Sequence, residues 1–226
     1  MSAITLSTDL RAALLSVLAV CLACRVATAE ADDGHAARAH EVSGEREAES
    51  AEAMPAVTRS VVNYPVPAIK LVRDDGKDVT LADELNDGRP VVLNFIYTTC
   101  TGICPLASHI FSQLQHRLGA EREQVHLVSI SVDPEEDTPA RLRAYAQQYS
   151  AGPSWQHYTG TVQASLAAQR AFNVWRGDKM GHSSVTLVRA APGTPWLRIE
   201  GFVTPGELLQ QYHHLLEQSG LTVATR

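Results

Sequence analysis

The chain has 226 residues, of which 45% are hydrophobic and 19% are charged, and its formal net charge is −6 at pH 7. This length and composition suit one globular domain that can bury a core without disulfide support, together with additional segments. The acidic balance argues against a nucleic-acid partner.

The first 29 residues have the pattern of a targeting segment. Arg11 precedes the apolar run AALLSVLAVCLAC, and Ala27-Thr28-Ala29 resembles a small-residue cleavage site. The run is shorter than the roughly 20 residues that a membrane span needs. We predict a signal peptide over residues 1–29, with an uncleaved membrane or lipid-linked anchor as the alternative. Either places the protein in the periplasm or on the periplasmic face of the inner membrane.

Residues 30–60 are predicted to be a disordered tether. They are rich in Ala, Glu, Asp and Arg and contain no aromatic residue, so they offer too little apolar surface to order themselves. The globular domain is predicted over residues 61–220.

The first half of this domain alternates between strands and helices. Residues 68–85 read as a hairpin that turns at Asp75-Gly76, and the apolar run VVLNFIY at 91–97 is typical of a buried strand. A helix is predicted from about Pro105, where Leu106, Ile110, Phe111, Leu114 and Leu118 form an apolar stripe. A second buried strand is predicted over 125–132.

The second half ends in a hairpin and a helix. Helices are predicted from Thr138-Pro139 and over 162–173, followed by a hairpin of 185–190 with 197–202. The last helix opens with a capping box at Thr204. This order predicts an α/β thioredoxin-like fold with an added N-terminal β-hairpin. Its cysteine loop then lies at the carboxyl end of a central parallel strand, where open α/β sheets bind ligands.

Two cysteines, Cys100 and Cys104, remain after the predicted cleavage. Three residues separate them, whereas thiol oxidoreductases of the thioredoxin type have two. In an oxidising compartment such a pair forms a structural disulfide, a redox couple or a metal site. A disulfide across so short a loop restricts the unfolded chain little. The start of a helix, with its free amides and dipole, favours thiolates.

His182 is the candidate third ligand. In a thioredoxin-like fold the loop before the strand at 185–190 faces the cysteine loop, and in thiol oxidoreductases it carries a cis-proline. No proline lies between Pro153 and Pro192 here. Two thiolates and one imidazole suit Cu(I) best.

The segments NFIYTTCTGICP, SVDPEEDTPARL and GHSSVTLV together resemble the Sco/SenC family of copper-binding assembly proteins for cytochrome c oxidase. The resemblance covers about residues 60–220. It implies that Cys100, Cys104 and His182 bind copper as Cu(I) and Cu(II). It further implies a role in loading the dinuclear copper centre of the oxidase's subunit II. Other copper chaperones or thioredoxin-like reductases are then expected as further partners.

The chain departs from the best-known members at two places. Thr-Gly-Ile separates the cysteines without an acidic residue, and Gly181 precedes the histidine where those members often have Asp. Both changes reduce negative charge near the metal. Asp133 follows a central strand and is a candidate to support the ligands without binding the metal, whereas Asp137 is interpreted as helix-start chemistry.

Three function classes compete. The leading hypothesis is a metallochaperone, which transfers copper by ligand exchange and turns over no small substrate. The alternative is a thiol–disulfide reductase in which Cys100 and Cys104, as a redox-active pair, keep the oxidase's copper-ligand cysteines reduced. A peroxidase would want Thr three residues before its reactive cysteine, and Tyr97 stands there instead.

Overall fold

The computed structural model describes residues 56–221. The predicted signal segment, nearly all of the predicted tether, and Cys21 and Cys24 lie outside the described residues. Within the described residues no helix is long and apolar enough to cross a membrane.

Within residues 56–221, eight strands form one mixed sheet in the order β1-β8-β7-β4-β5-β6-β2-β3. In chain order they are β1 (Thr58–Val62), β2 (Lys70–Arg73), β3 (Asp78–Thr80), β4 (Val91–Ile96), β5 (His126–Ser131), β6 (Trp155–Thr159), β7 (Val185–Arg189) and β8 (Trp196–Glu200). The central strands β4, β5 and β6 are parallel, and the other pairings are antiparallel. β1 pairs with β8 along its whole length, from Thr58 opposite Glu200 to Val62 opposite Trp196.

In the part of the chain that the structure describes, five α-helices cover the sheet, and they are α1 (Leu81–Leu85), α2 (Ile103–Leu118), α3 (Pro139–Gln148), α4 (Val162–Ala171) and α5 (Pro205–Gln218). Two short 3-10 helices lie at Gly119–Glu123 and Lys179–Gly181. Helices α3 and α5 begin at proline after a threonine cap, and α5 has the predicted capping box between Thr204 and Glu207.

The core lies on both faces of the sheet. All residues of β4 and β5 are buried, as expected for central parallel strands. Alternate residues of β4 point to opposite faces, so Val91 and Leu93 pack in one apolar cluster and Val92 packs in the other. A third, smaller cluster joins the end of β4 to α3 and contains both cysteines.

The predicted thioredoxin-like fold with its N-terminal hairpin is confirmed, with several differences in detail. The hairpin is β2–β3, and its turn uses Gly76 at φ 89°, where a side chain would be strained.

Strands β1 and β6 and helix α1 are additions to the predicted order of elements. β1 includes residues 58–60, which belong to the predicted tether. Helix α2 begins at Ile103, before Pro105, and Leu106 is 41% exposed instead of joining the buried stripe.

Candidate metal centre

The two cysteines lie on different elements at the carboxyl end of β4. Cys100 belongs to the turn that follows the strand, and Cys104 lies in the first turn of α2. The backbone amide of Cys104 donates to the Cys100 sulfur at 3.4 Å, so the pair is close and both cysteines are free thiols. Cys100 is 9% exposed and Cys104 is 1% exposed.

Asp137 holds the cysteine loop in place. Its buried carboxylate accepts from the Thr98 amide at 3.1 Å, from the Thr98 hydroxyl at 2.5 Å and from the Ser131 hydroxyl at 2.6 Å. Charge-assisted bonds of this kind are about twice as strong as neutral ones. The interpretation of Asp137 as helix-start chemistry is therefore incomplete, because its side chain ties the loop to the end of β5.

The two thiols differ in acidity. Burial by itself would raise the pKa of Cys100, but hydrogen bonds from the Cys104 thiol and amide and from the Gly102 amide outweigh it and lower that pKa. Burial, followed by the hydrogen bond that its thiol donates to Cys100, raises the pKa of Cys104. Cys100 is therefore the more acidic thiol and Cys104 the less acidic one, whereas the position at the helix start predicted two thiolates.

His182 ends the 3-10 turn Lys179–Gly181 and precedes β7. Its Nε2 lies 2.9 Å from the carbonyl oxygen of Phe95 in β4. Because a carbonyl oxygen only accepts, Nε2 carries the proton and Nδ1 keeps its lone pair. Burial, which outweighs this hydrogen bond, lowers the pKa of His182, so the imidazole is neutral at pH 7. Histidines that bind metals almost always donate their other ring nitrogen in this way.

Tyr97 contacts both halves of the candidate site. Its ring meets the His182 ring edge-on, with 6.5 Å between centroids. Burial, and then the interaction of its hydroxyl with Cys100, raise the pKa of Tyr97 to about 12, so the hydroxyl keeps its proton. Between residues 56 and 221 no group of three or more His, Cys, Asp or Glu side chains is placed to hold a metal ion. The thiol pair is thus assembled, and His182 stands beside Tyr97 without joining it.

Asp133 lies on the His182 side of the site. Its carboxylate accepts from Lys179 Nζ at 2.6 Å, and it is 6% exposed. Lys179 also lies over the Tyr97 ring, 5.8 Å from the centroid. Asp133 therefore ties the end of β5 to the turn that carries His182.

The sequence profile of the SCO1/SenC family matches residues 66–217. The chain belongs to the SCO1/SenC family.

Several relatives of this SCO1/SenC protein agree with that membership. The SCO1 homolog of Bacillus subtilis is 36% identical over 106 residues, which cover 46% of this chain and 54% of that protein. The match thus spans about half of the relative's own length.

Two solved structures share the fold. ScoI of Arabidopsis thaliana with copper bound is 25% identical, has a TM-score of 0.56, and is matched over 66% of this chain and 96% of that one. BsSco belongs to the Sco family of cytochrome c oxidase assembly proteins, and its structure identifies a disulfide switch. It is 26% identical with a TM-score of 0.57, over 69% of this chain and 95% of that one.

Two residues at the site of this SCO1/SenC chain have roles that their sequence patterns did not predict. Asp137 stands in the quoted segment SVDPEEDTPARL, but its partners Thr98 and Ser131 become neighbours only in the folded sheet. Tyr97 was considered only as the residue that argues against a peroxidase. Its place three residues before Cys100, at the end of a buried strand, was the signal available.

Proposed function

We propose that this SCO1/SenC protein is a copper metallochaperone that binds copper through Cys100, Cys104 and His182. It delivers the ion to the copper centre of cytochrome c oxidase subunit II during assembly. The observation that carries the proposal is that Tyr97 packs against two free thiols and also contacts His182, whose Nε2 is held by the Phe95 carbonyl.

The thiols supply most of the affinity. Cys100, the more acidic thiol, binds first, and Cys104 loses its proton to solvent when the metal replaces it. Two sulfurs favour Cu(I), and the imidazole extends the site to Cu(II). Copper is transferred and is not retained, because each bond that copper forms with a ligand of the acceptor replaces a bond to a ligand of this protein.

Completing the site requires a local movement. His182 lies against Tyr97, so the 179–182 turn or the cysteine loop shifts when all three ligands meet one ion. The 179–182 turn and the cysteine loop both lie at the carboxyl edge of the sheet, and neither is hydrogen-bonded into it as a strand. Loop motions of this kind take nanoseconds to microseconds.

Compartment and partners complete the proposal. The targeting pattern of residues 1–29 supports export to the periplasm or its membrane face. Support for the oxidase as acceptor comes from BsSco, which belongs to a family of cytochrome c oxidase assembly proteins. Support for copper comes from the copper-bound ScoI. Copper donors and thioredoxin-like reductases are the further partners.

Metal analysis of the full chain tests the ligand set. Wild type is expected to bind one copper, and His182→Ala is expected to lose the Cu(II) charge-transfer absorption while keeping its fold. His109→Ala is the matched control, because His109 is exposed on α2. Unchanged spectra and stoichiometry in His182→Ala would remove His182 from the site.

A thiol–disulfide reductase is the second candidate function. It is favoured by the acidity of Cys100 beside a buried Cys104, since a thiolate with a neighbouring thiol can attack and then resolve a disulfide. Oxidase activity in cells separates the two roles. Delivery predicts that His182→Ala is nearly as harmful as Cys100→Ser and that added copper partly rescues both. Reduction predicts a near-normal His182→Ala strain and a Cys100→Ser defect that copper does not relieve.

A further inference from the structure

An exposed methionine stands beside the candidate copper site. Met180 is 78% exposed, although its side chain is apolar and unbranched and contributes to none of the core clusters. A single exposed apolar residue is common on a surface. Met180 differs because of what fixes it and what it touches.

The backbone of Met180 is held from two sides. The Asp178 carboxylate accepts from the amides of Met180 at 2.8 Å and of Gly181 at 3.0 Å. Lys179 is anchored on Asp133. A Cβ at position 181 would lie 3.3 Å from the carbonyl oxygen of Arg176, so Gly181 lets the turn pack closely. In this conformation the turn therefore presents the Met180 side chain outward.

The thioether contacts the group that links the two halves of the site. The Tyr97 hydroxyl donates to the Met180 sulfur over 4.0 Å, and the Tyr97 ring packs in one buried cluster with Cys100 and Cys104. Met180 also precedes His182 by two residues. A single tyrosine side chain thus connects an exposed soft sulfur with the buried pair.

A thioether has the chemistry that capture of Cu(I) requires. It is soft, so it prefers Cu(I) to Cu(II). It carries no proton to release, so it can bind before Cys104 has given up its own. It is also neutral and weak, so the ion can leave it for a thiolate.

We propose that Met180 is a capture ligand for Cu(I), which binds the ion at the surface and passes it to Cys100 and Cys104. This inference rests on the proposed function. In the transfer the copper–thioether bond breaks as copper–thiolate bonds form, and the displaced thiol proton goes to solvent. Copper stays Cu(I), and no electron moves.

The test uses the full chain labelled with [methyl-¹³C]methionine, whose three methionines are Met1, Met54 and Met180. Met180→Leu assigns the Met180 methyl signal. Cu(I), added as its acetonitrile complex to a Cys100→Ser/Cys104→Ser protein, is expected to shift that signal and to leave the Met54 signal in place. In the wild type the shift is expected to be smaller, because the thiolates hold the ion.

Transfer rates supply the second measurement. Uptake of Cu(I) from its bicinchoninate complex is followed by loss of colour. Met180→Leu keeps the size and apolarity of the side chain but lacks sulfur, and it is expected to slow uptake about tenfold, within the range found for groups that support metal sites. Met54→Leu is the matched control and is expected to match wild type. Cu(II) binding is expected to be equal in wild type, Met180→Leu and Met54→Leu.

The outcomes separate this inference from the proposed function. The capture role is wrong if Cu(I) leaves the Met180 signal of the Cys100→Ser/Cys104→Ser protein in place and Met180→Leu takes up Cu(I) at the wild-type rate. The chaperone proposal still stands in that case, provided that wild type binds copper. If wild type binds no copper, both are wrong.

Discussion

Removal of the Asp137 carboxylate is expected to loosen the cysteine loop and to destabilise the domain. The perturbation is Asp137→Ala, at a side chain that is 0% exposed. It leaves three donors without their acceptor, namely the Thr98 amide and the hydroxyls of Thr98 and Ser131.

The magnitude follows from those three bonds. Each stranded buried donor costs about 1–3 kcal/mol, and the two hydroxyls can rotate toward other acceptors, which places them at the lower end of that range. The sum of about 4 kcal/mol is reduced by about 1 kcal/mol because a buried carboxylate no longer has to be desolvated. We expect a loss of about 3 kcal/mol, which a domain of typical stability survives.

Urea unfolding followed by tryptophan fluorescence measures this loss. Glu136→Gln is the matched control, since Glu136 is the preceding residue and its ion pair with Arg141 is exposed on both sides. Its expected cost is about 0.5 kcal/mol. Alkylation of Cys100 in native protein should be faster in Asp137→Ala than in the control. A cost for Asp137→Ala below about 1 kcal/mol, with alkylation unchanged, would refute the anchoring role.

Three further predictions concern stability alone. His157 is fully buried, and burial lowers its pKa to about 3. In the unfolded chain the pKa of His157 is about 6.5, so below pH 6.5 the unfolded state binds a proton that the folded state does not. The free energy of unfolding therefore decreases as the pH falls. Relative to His157→Phe, wild type should lose about 2.5 kcal/mol more between pH 7.5 and 4.5 in urea titrations, and parallel pH profiles would contradict this. Thr204→Ala removes the capping box with Glu207 and should lower the free energy of unfolding by about 1 kcal/mol, as measured by thermal unfolding. An unchanged melting temperature would contradict this. Arg198→Met leaves the Phe172 and Asn173 carbonyls without their donors at 2.8 Å and 3.2 Å and should cost about 2 kcal/mol in urea, whereas a cost near zero would show that the Arg198 bonds add nothing.

Local signals in the sequence predicted most of the fold. The turn at Gly76 and the cap at Thr204 are short-range patterns that the structure reproduces. Strand β6, with the sequence WQHYT, lacks a continuous apolar run and becomes a strand by pairing with β5 and β2. Strand β1 follows a charged segment and is mostly exposed, so neither composition nor periodicity marks it.

The chemistry of the site could be predicted only in part. The spacing of Cys100 and Cys104 and the position of His182 identify candidate ligands, and their assignment as copper ligands stays a prediction. The unequal acidity of the thiols depends on burial and on amide directions, which a sequence does not contain. The hydrogen bond between His182 and the Phe95 carbonyl could not be predicted either, because the two residues are 87 positions apart in the sequence.

The pairing of β1 with β8 has a consequence for how the domain is made. A chain that emerges amino end first, from a ribosome or an export channel, delivers Thr58 early and its partner Glu200 near the end. Until then the edge of β8 does not exist, and β1 has nowhere to dock. Long-range pairings of this kind slow folding because the loop must close before any contact forms. The domain therefore completes its sheet only after the strands from β1 to β8 have all emerged, and until then β1 stays an unpaired segment.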